Sequence, residues 1–543
     1  MLALSRRNAL PAVNGWPRGC RVLLAALSAL LTVATAGAAR ADETHYQNVF
    51  IGDRAFGMGG AATGLAADTS STFYNPGALA ELPNRSFSAS LGLTAFERMR
   101  VLGGVRGPDS VADVRRAESR SLPVFSAALL RFGAVGPDGL KRHAVAFSTL
   151  YPATTDTSLR VDLQHPMTGV PSTMRVDHAF RQTLYGLSYA LHLSNKVAFG
   201  ITAFLATQRL IHNETLYVAS GGVPTPDGGF TGIESYTGLT RISARSYSFL
   251  PRVGFFYRPN AKFSLGITLQ PPGLMLRSRA SLDQQSAVAT VDPMTGDTIT
   301  TFTVVDQGGL RIRMPIPWMV RMGFGYHATN SLTLAVDVAL HGAVDAHRIL
   351  PGADEDALAR TPFMPVDTRR LATVDAALGA EWVMRDGVTW RVGAFTNRSA
   401  APNLPATTNE YRLEQVHHYG ASFGLGVHVG AYHLTMGIAG SRGRGDALSV
   451  DTNPAGTTDV YVRTRVEQRV LYLFLTGATR SVARLAQSAL HRVQNRSEPR
   501  RAHGQTRDEY REEHPDAVDA EQARRRAQRQ RQRRPPQRHP DER

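Results

Sequence analysis

The chain has 543 residues, 43% of them hydrophobic, one cysteine and a formal net charge of +16. That charge is split: +5 lies in the first forty residues, +6 lies after residue 483, and only +5 is left for everything between. A nucleic-acid-binding surface is therefore not expected over the bulk of the protein, and a single cysteine, Cys20, excludes a disulfide framework or a cysteine zinc site.

Arg6, Arg7, Arg18 and Arg21 precede or open the apolar run Val22 to Ala39, which exits through Ala39-Arg40-Ala41. Positive flank, apolar run and small-residue exit read as a secretory signal peptide over residues 1–41. The run is close to spanning length, but its Ala/Thr/Gly-rich end favours cleavage over a membrane anchor. Cys20 precedes the run instead of closing it, which argues against a lipoprotein and removes the cysteine with the signal.

Residues 42–84 contain GMGGAATGLAADTSSTFYNPGALAEL, from Gly57 to Leu82. Gly57, Gly59 and Ala62 satisfy the spacing of a dinucleotide-binding turn, and Glu81 lies about twenty residues on, where a ribose-binding acid would be. Such a turn needs a strand directly before it and a helix after it. Here Gly52 to Phe56 intervenes and strand-period sequence follows, so no nucleotide cofactor is expected.

From about residue 85 the hydrophobic period is two for nearly four hundred residues. Val197, Phe199, Ile201, Ala203 and Leu205 alternate with Ala198, Gly200, Thr202 and Phe204; Leu332, Leu334, Val336, Val338 and Leu340 alternate with Thr333, Ala335, Asp337, Ala339 and His341. A soluble sandwich also alternates, so the connections decide. Short turns stand at Gly136 to Gly139, Ser194 to Lys196, Arg258 to Asn260, Thr329 to Ser331, Arg385 to Gly387 and Gly430-Ala431. Between them fall long polar stretches near residues 101–117, 153–175, 212–238, 284–300, 346–365, 399–411 and 446–458, read as loops. Strict alternation of short and long connections over about fourteen strands is the pattern of an outer-membrane barrel. Phe132, Phe199, Tyr257, Phe263, Tyr326, Trp382, Trp390 and Tyr432 fall beside the short turns on the apolar face, as an interfacial girdle would.

Turn lengths also predict register. A two-residue hairpin at Gly430-Ala431 pairs Val429 with Tyr432, His428 with His433 and Val427 with Leu434. The connection at Arg385 to Gly387 pairs Glu381 with Arg391 on the inner face. Gly420 to Gly424 matches G-x-S-x-G, but a nucleophile elbow is a strand-to-helix turn and Ser422 lies mid-strand. His418 and His428 share its face, and with His417 and His433 they could gather at a metal. No cysteine or close carboxylate is expected to complete a set, so solvated histidines in an ordinary polar lumen, without catalytic or metal residues, are expected.

The stretch RAFGMGGAATGLAADTSSTFYNPGALAEL resembles the N-terminal hatch of the FadL-type long-chain fatty acid outer-membrane transporters. The chain has Gly77 after Asn75-Pro76, where the family usually has Ala. Leu250 to Pro272, Met314 to Leu340 and Trp390 to Pro402 are similar to the family's barrel hairpins, and the likeness covers roughly residues 45–478. The resemblance implies an all-β transmembrane antiparallel barrel of fourteen strands (85–478) plugged by the hatch (42–84), without enzymatic activity. It implies passive passage of long-chain fatty acids or hydrocarbons. It places Gly57, Gly59, Gly60, Asn75, Pro76 and Gly77 in the hatch, and a lateral opening at Tyr151-Pro152, where Pro152 cannot donate to a ladder. The expected setting is the outer membrane of a Gram-negative bacterium, as a monomer among lipid and lipopolysaccharide. A structural or adhesive barrel would account for the strands but not for the hatch.

Past Gly477 the chain departs from this pattern. Val482, Leu485, Ala486, Ala489, Leu490 and Val493 recur at helical spacing beside Arg480, Arg484 and Arg492, as in a basic interfacial helix. The arginine-rich, Pro-punctuated remainder to Arg543 should be disordered.

Overall fold

A computed structural model describes residues 45–479 except 67, 107–110, 123, 136–139, 165–170, 221–222, 225–229, 232–233, 292–294, 296, 360, 362, 385–386, 430–431 and 452–460. The expected signal peptide, the basic tail and the turns at 136–139, 385–386 and 430–431 lie outside the described residues.

Fourteen antiparallel strands close into a barrel. They are β1 (Arg85–Arg106), β2 (Val111–Leu122 and Phe125–Val135), β3 (Lys141–Gln164), β4 (Pro171–Ser194), β5 (Val197–Ser220), β6 (Glu234–Tyr257) and β7 (Phe263–Gln270 and Leu274–Val291). There follow β8 (Thr298–Leu310 and Met319–His327), β9 (Leu332–His341), β10 (Thr373–Val383), β11 (Val388–Asn397), β12 (Gln415–Val429), β13 (Tyr432–Asp451) and β14 (Tyr461–Thr479). β14 pairs back onto β1 from Phe87↔Thr479 to Val101↔Val466, so the sheet has no free edge there. The interruptions in β7 and β8 coincide with Pro271-Pro272 and with Pro315 and Pro317, residues that cannot donate to a ladder.

Side-chain alternation sorts the two faces. Thr333, Ala335, Asp337, Ala339 and His341 are buried, whereas Leu334 and Val336 point outward and are exposed. The outward set along the barrel is apolar, including Leu187, Leu205, Phe249, Leu378, Phe423, Met436 and Leu473, the face a barrel offers to lipid. Phe132, Tyr257, Trp382, Trp390 and Tyr432 are exposed beside the short turns. No helix among the described residues is long and apolar enough to cross a membrane; the crossing elements are strands.

Both predicted registers are present: Val429↔Tyr432, His428↔His433 and Val427↔Leu434, and Glu381↔Arg391. The long stretches read as loops are a different matter. β3, β4, β5 and β6 each run for 24 residues, more than twice the nine to eleven that cross a bilayer. Much of 101–117, 153–175, 212–238, 284–300 and 446–458 is therefore strand. In these extensions the inner face also carries polar residues, such as buried His212, Glu214 and Thr240, so polar residues alternate with polar residues and the period-two signal fades while pairing continues. Of those stretches, 346–365 holds a short helix, α3 (Glu355–Ala359), and 399–411 is largely irregular. α3 and Leu350, Leu358 and Met364 pack in one apolar cluster with Phe180, Leu210, Ile242 and Leu282 of β4 to β7.

The largest apolar core lies inside the barrel. Residues 45–82 are mostly buried there and carry α1 (Asp53–Gly57), α2 (Ser71–Tyr74) and a 3-10 turn at Pro76–Glu81. Ile51, Phe56, Phe73 and Tyr74 of this internal segment pack with Phe204, Leu250 and Phe474 of the wall. Phe204 shares the inner face with Ala198, Gly200 and Thr202, so that face is not uniformly small or polar.

Candidate functional site: the lumen and its internal segment

Short elements in residues 45–82 are held from outside themselves, since none is long enough to be stable alone. Asn75 is the central bracket. Its Oδ1 accepts from Gly77 N at 3.0 Å, while Nδ2 donates to Thr63 O at 3.1 Å and to Phe255 O on β6 at 3.0 Å. Pro76 then opens the 3-10 turn, a position where its missing N–H costs nothing. Gly77 does not have the positive φ that would make a branched residue strained; the positive values in this region belong to Gly52, Gly59 and Gly60. Gly77 is small for another reason. A Cβ there would lie 2.9 Å from Gly254 O and 3.1 Å from Ala198 O, so the constraint is space beside the wall. Gly57 closes α1 and its carbonyl accepts from Ser422 Oγ at 2.9 Å.

A buried ionic cluster fastens α1 to the wall. Arg54 Nη2 lies 2.8 Å from Glu381 Oε1, and Arg391 Nε 2.8 Å from Glu381 Oε2. Asp53 Oδ2 lies 2.9 Å from His433 Nδ1 and 3.9 Å from Arg391 Nη1. Burial would raise the Asp53 carboxyl, but hydrogen bonds from Asp68 and His433 and the Arg391 charge hold it well below the usual range. Burial and the neighbouring Asp53 push Asp68 well above it. The two carboxyls are thus shifted in opposite directions, Asp68 being the one that keeps its proton to higher pH. At the other end of the segment Glu81 Oε2 meets Arg258 Nη2 at 2.5 Å, and His192 Nε2 donates to Ala80 O at 2.7 Å.

The inner-face histidines are absorbed by these networks. His418 meets Ser441 Oγ at 3.1 Å and Gln468 Oε1 at 3.0 Å, and His428 bonds Gly387 O. Ser422 donates to the Gly57 carbonyl and to no histidine. A carboxylate does stand beside His433, from Asp53 nearly four hundred residues away, which local spacing could not reveal. Its Arg391 and Asp68 neighbours make it part of an ion-pair cluster. No group of three or more His, Cys, Asp or Glu able to hold a metal occurs among the described residues.

Above the segment is a cavity of about 200 Å³ whose lining includes His45, Phe50, Met99, Arg120, Phe395 and Tyr472. A smaller one of about 50 Å³ lies between Phe73 and the wall residues Leu184, Leu250 and Ile316, and reaches Pro152. His45, Gln47, Arg321 and His341 line both. Three guanidinium groups, those of Arg252, Arg321 and Arg370, border the smaller cavity. Arg252 Cζ sits 4.3 Å from the Phe73 ring centre and its Nη2 donates to Gln270 Oε1 at 2.5 Å. Arg321 Cζ lies 5.0 Å from the Tyr74 ring centre and its Nη2 donates to Gln47 Oε1 at 2.7 Å. Such cation–ring contacts offset part of the cost of burying charge.

At Pro152 the wall changes. The β2–β3 ladder runs from Val135↔Lys141 to Phe125↔Leu150 and goes no further among the described residues. β3 does not end at Leu150-Tyr151-Pro152, as its sequence suggests; it continues to Gln164, and its register with β4 shifts between Leu150 and Ala153. Beyond Leu150 the facing edges of β2 and β3 are joined by Tyr151 N to Val124 O at 3.0 Å, Arg116 Nη2 to Asp156 O at 3.1 Å and Ser158 N to Glu118 Oε1 at 2.6 Å. The Pro152 carbonyl is taken by Asn48 N at 3.1 Å and Val49 N at 3.3 Å, both from the internal segment.

A closed fourteen-stranded barrel with an apolar exterior and a chain segment packed in its lumen is an architecture of outer-membrane proteins. No family model matches the sequence, and no curated protein sequence matches it. Among solved structures, a FadL homologue of Pseudomonas aeruginosa is similar over 80% of this chain and 99% of its own, at 13% identity and a TM-score of 0.51. The toluene transporter TodX of Pseudomonas putida aligns over 80% of this chain and 100% of its own, at 12% identity and TM-score 0.48. The toluene transporter TbuX of Ralstonia pickettii aligns over 78% and 98%, at 12% identity and TM-score 0.41. The chain therefore has the FadL-type barrel fold.

Proposed function

We propose that the protein carries hydrophobic small molecules, long-chain fatty acids or hydrocarbons, passively across the outer membrane of a Gram-negative bacterium, with residues 45–82 acting as the hatch. One observation carries the reading: the cavity beside Phe73, lined by Leu184, Leu250, Ile316 and Met319 as well as by arginines and glutamines, adjoins the larger lumenal cavity and reaches Pro152 where the β2–β3 ladder stops. An ordinary porin needs an open aqueous lumen, and this lumen is filled. An apolar solute favours the bilayer over water, so an exit through the wall into lipid suits it. Tyr151 and Pro152 mark that exit, and Asn48 and Val49 hold its rim.

Arg252 and Arg321 form no ion pair among the described residues and border the same cavity, which favours an acid-headed solute over a neutral hydrocarbon. No catalytic step, cofactor or nucleic acid enters the reading, and the fold resembles a transporter family. The protein works as a monomer, with lipid and lipopolysaccharide around its apolar belt.

Uptake of labelled oleate and of labelled toluene by a deletion strain, with and without the restored gene, tests this. Restored oleate uptake exceeding restored toluene uptake is expected, with Arg252→Met and Arg321→Met lowering oleate uptake selectively. No gene-dependent uptake of either would leave a structural or adhesive barrel.

A further inference from the structure

Seven of the eight consecutive strands β5 to β12 meet the internal segment at a glycine, where a Cβ would run into it. Gly254 faces Pro76 N, and Gly379 faces Met58 O, at 2.6 and 2.8 Å from where a Cβ would stand. A Cβ on Gly200 would overlap the Pro76 carbonyl, on Gly266 the Thr63 carbonyl, on Gly323 the Gly64 amide and on Gly393 the Gly59 amide. On Gly424 it would reach 3.2 Å from Gly57 Cα. Within the belt Gly200 pairs with Gly254, Gly266 with Gly323, and Gly379 with Gly393, while Gly254 and Gly266, and Gly393 and Gly424, are offset by two residues.

β9 alone in this series has no glycine, and there Asp337 Oδ2 accepts Ala62 N at 3.1 Å and Thr63 N at 2.9 Å. Neighbouring hydroxyls take the segment's carbonyls: Ser264 Oγ to Gly64 O at 2.6 Å, Thr268 Oγ1 to Tyr74 O at 2.7 Å and Thr202 Oγ1 to Thr72 O at 3.1 Å. The other side of the barrel meets the segment mostly through side chains of one partner or the other, the backbone bonds of Asn48 and Val49 to the Pro152 carbonyl excepted. Phe474 stacks on Phe56 at 4.6 Å, Tyr472 bonds Asn48 O at 2.8 Å, and Arg131 Nη1 bonds Leu82 O at 2.7 Å.

Side chains can yield by changing rotamer, whereas a backbone seated on a Cβ-free surface can move toward the wall only if the wall moves. We infer that these seven glycines and Asp337 are a seat that fixes the hatch against β5 to β12, confining any hatch motion during transport to the half contacted through side chains. The inference rests on the transport reading for its purpose, but its test needs no transported solute.

Gly323→Ala and Gly393→Ala should displace the hatch from a barrel that still folds; Gly92→Ala and Gly308→Ala, where nothing lies within 4 Å, are controls. Expected are a heat-modifiable folded band for all four, a several-fold higher ion conductance in planar bilayers for the two seat variants, and tryptic cleavage at Arg54 in those two alone. Folded seat variants with wild-type conductance and a protected Arg54 would overturn the seat. Should the alanine variants fail to reach the membrane, Asp337→Leu, which removes the acceptor for two hatch amides, decides in the same way: raised conductance supports the seat, wild-type conductance overturns it.

Discussion

Asn75 and Gly77 are conspicuous in the sequence, and their surroundings explain both. Asn75 satisfies three backbone groups with one amide, and Gly77 lets the chain pass the carbonyls of Gly254 and Ala198. The motif was legible as part of the hatch, but the reason for its glycine was not, because the obstructing carbonyls are more than a hundred residues away. Asn75→Ala should cost about 1–3 kcal/mol, the scale for leaving buried backbone groups without partners. Gly77→Ala should cost about 1–3 kcal/mol through overpacking. A lowered thermal midpoint of hatch protection, with the barrel at wild-type levels, would register both losses; unchanged midpoints would contradict the assignment.

The Asp53–Asp68 pair is also invisible to local reading, since its partners His433 and Arg391 come from distant strands. Its pH behaviour follows from opposite shifts. The depressed Asp53 adds stability above the ordinary carboxyl value of about 3.9 and loses it as pH falls through its lower folded value. The raised Asp68 adds stability below about 3.9 and loses it as pH rises through its higher folded value. Between the ordinary value and the raised one, increasing pH therefore loosens α1. Asp68→Asn keeps a neutral donor that does not titrate, so protease resistance at Arg54 followed across that window should become flat. The wild-type slope in Asp68→Asn would contradict the raised Asp68 carboxyl as the source of the slope.

At the scale of elements, the sequence revealed strands wherever one face met lipid and the other met the lumen. β5 and β9 alternate as read, and the hairpins at 430–431 and 385–387 have the predicted partners. Signal was lost where alternation has no physical cause. The extensions of β3 to β6 carry polar residues on both faces, buried His212, Glu214 and Thr240 among the inner ones, so they read as polar loops although they pair along most of their length. Tyr151-Pro152 was legible as a defect through the missing N–H of proline. That β3 shifts register there and continues could be seen only in its pairing with β4.

For the whole molecule, barrel and hatch are complementary. A closed ladder folds with its hydrogen bonds satisfied inside itself, leaving the inner face free to hold a separate segment. That segment fills the lumen, and β2 and β3 part beside it. The glycine belt escaped sequence reading because seven glycines spread over more than two hundred residues become neighbours only when the strands are in register. If solute leaves through the wall, closing the wall must stop transport. Glu118 and Ser158 face each other across the β2–β3 break, and removal of the signal peptide would leave no native cysteine. A Glu118→Cys/Ser158→Cys pair, joined by a short thiol-specific linker with a reducible disulfide, should abolish gene-dependent oleate uptake and recover it on reduction, with the protein remaining folded in the membrane. Uptake at the wild-type rate through the joined wall would contradict a lateral exit.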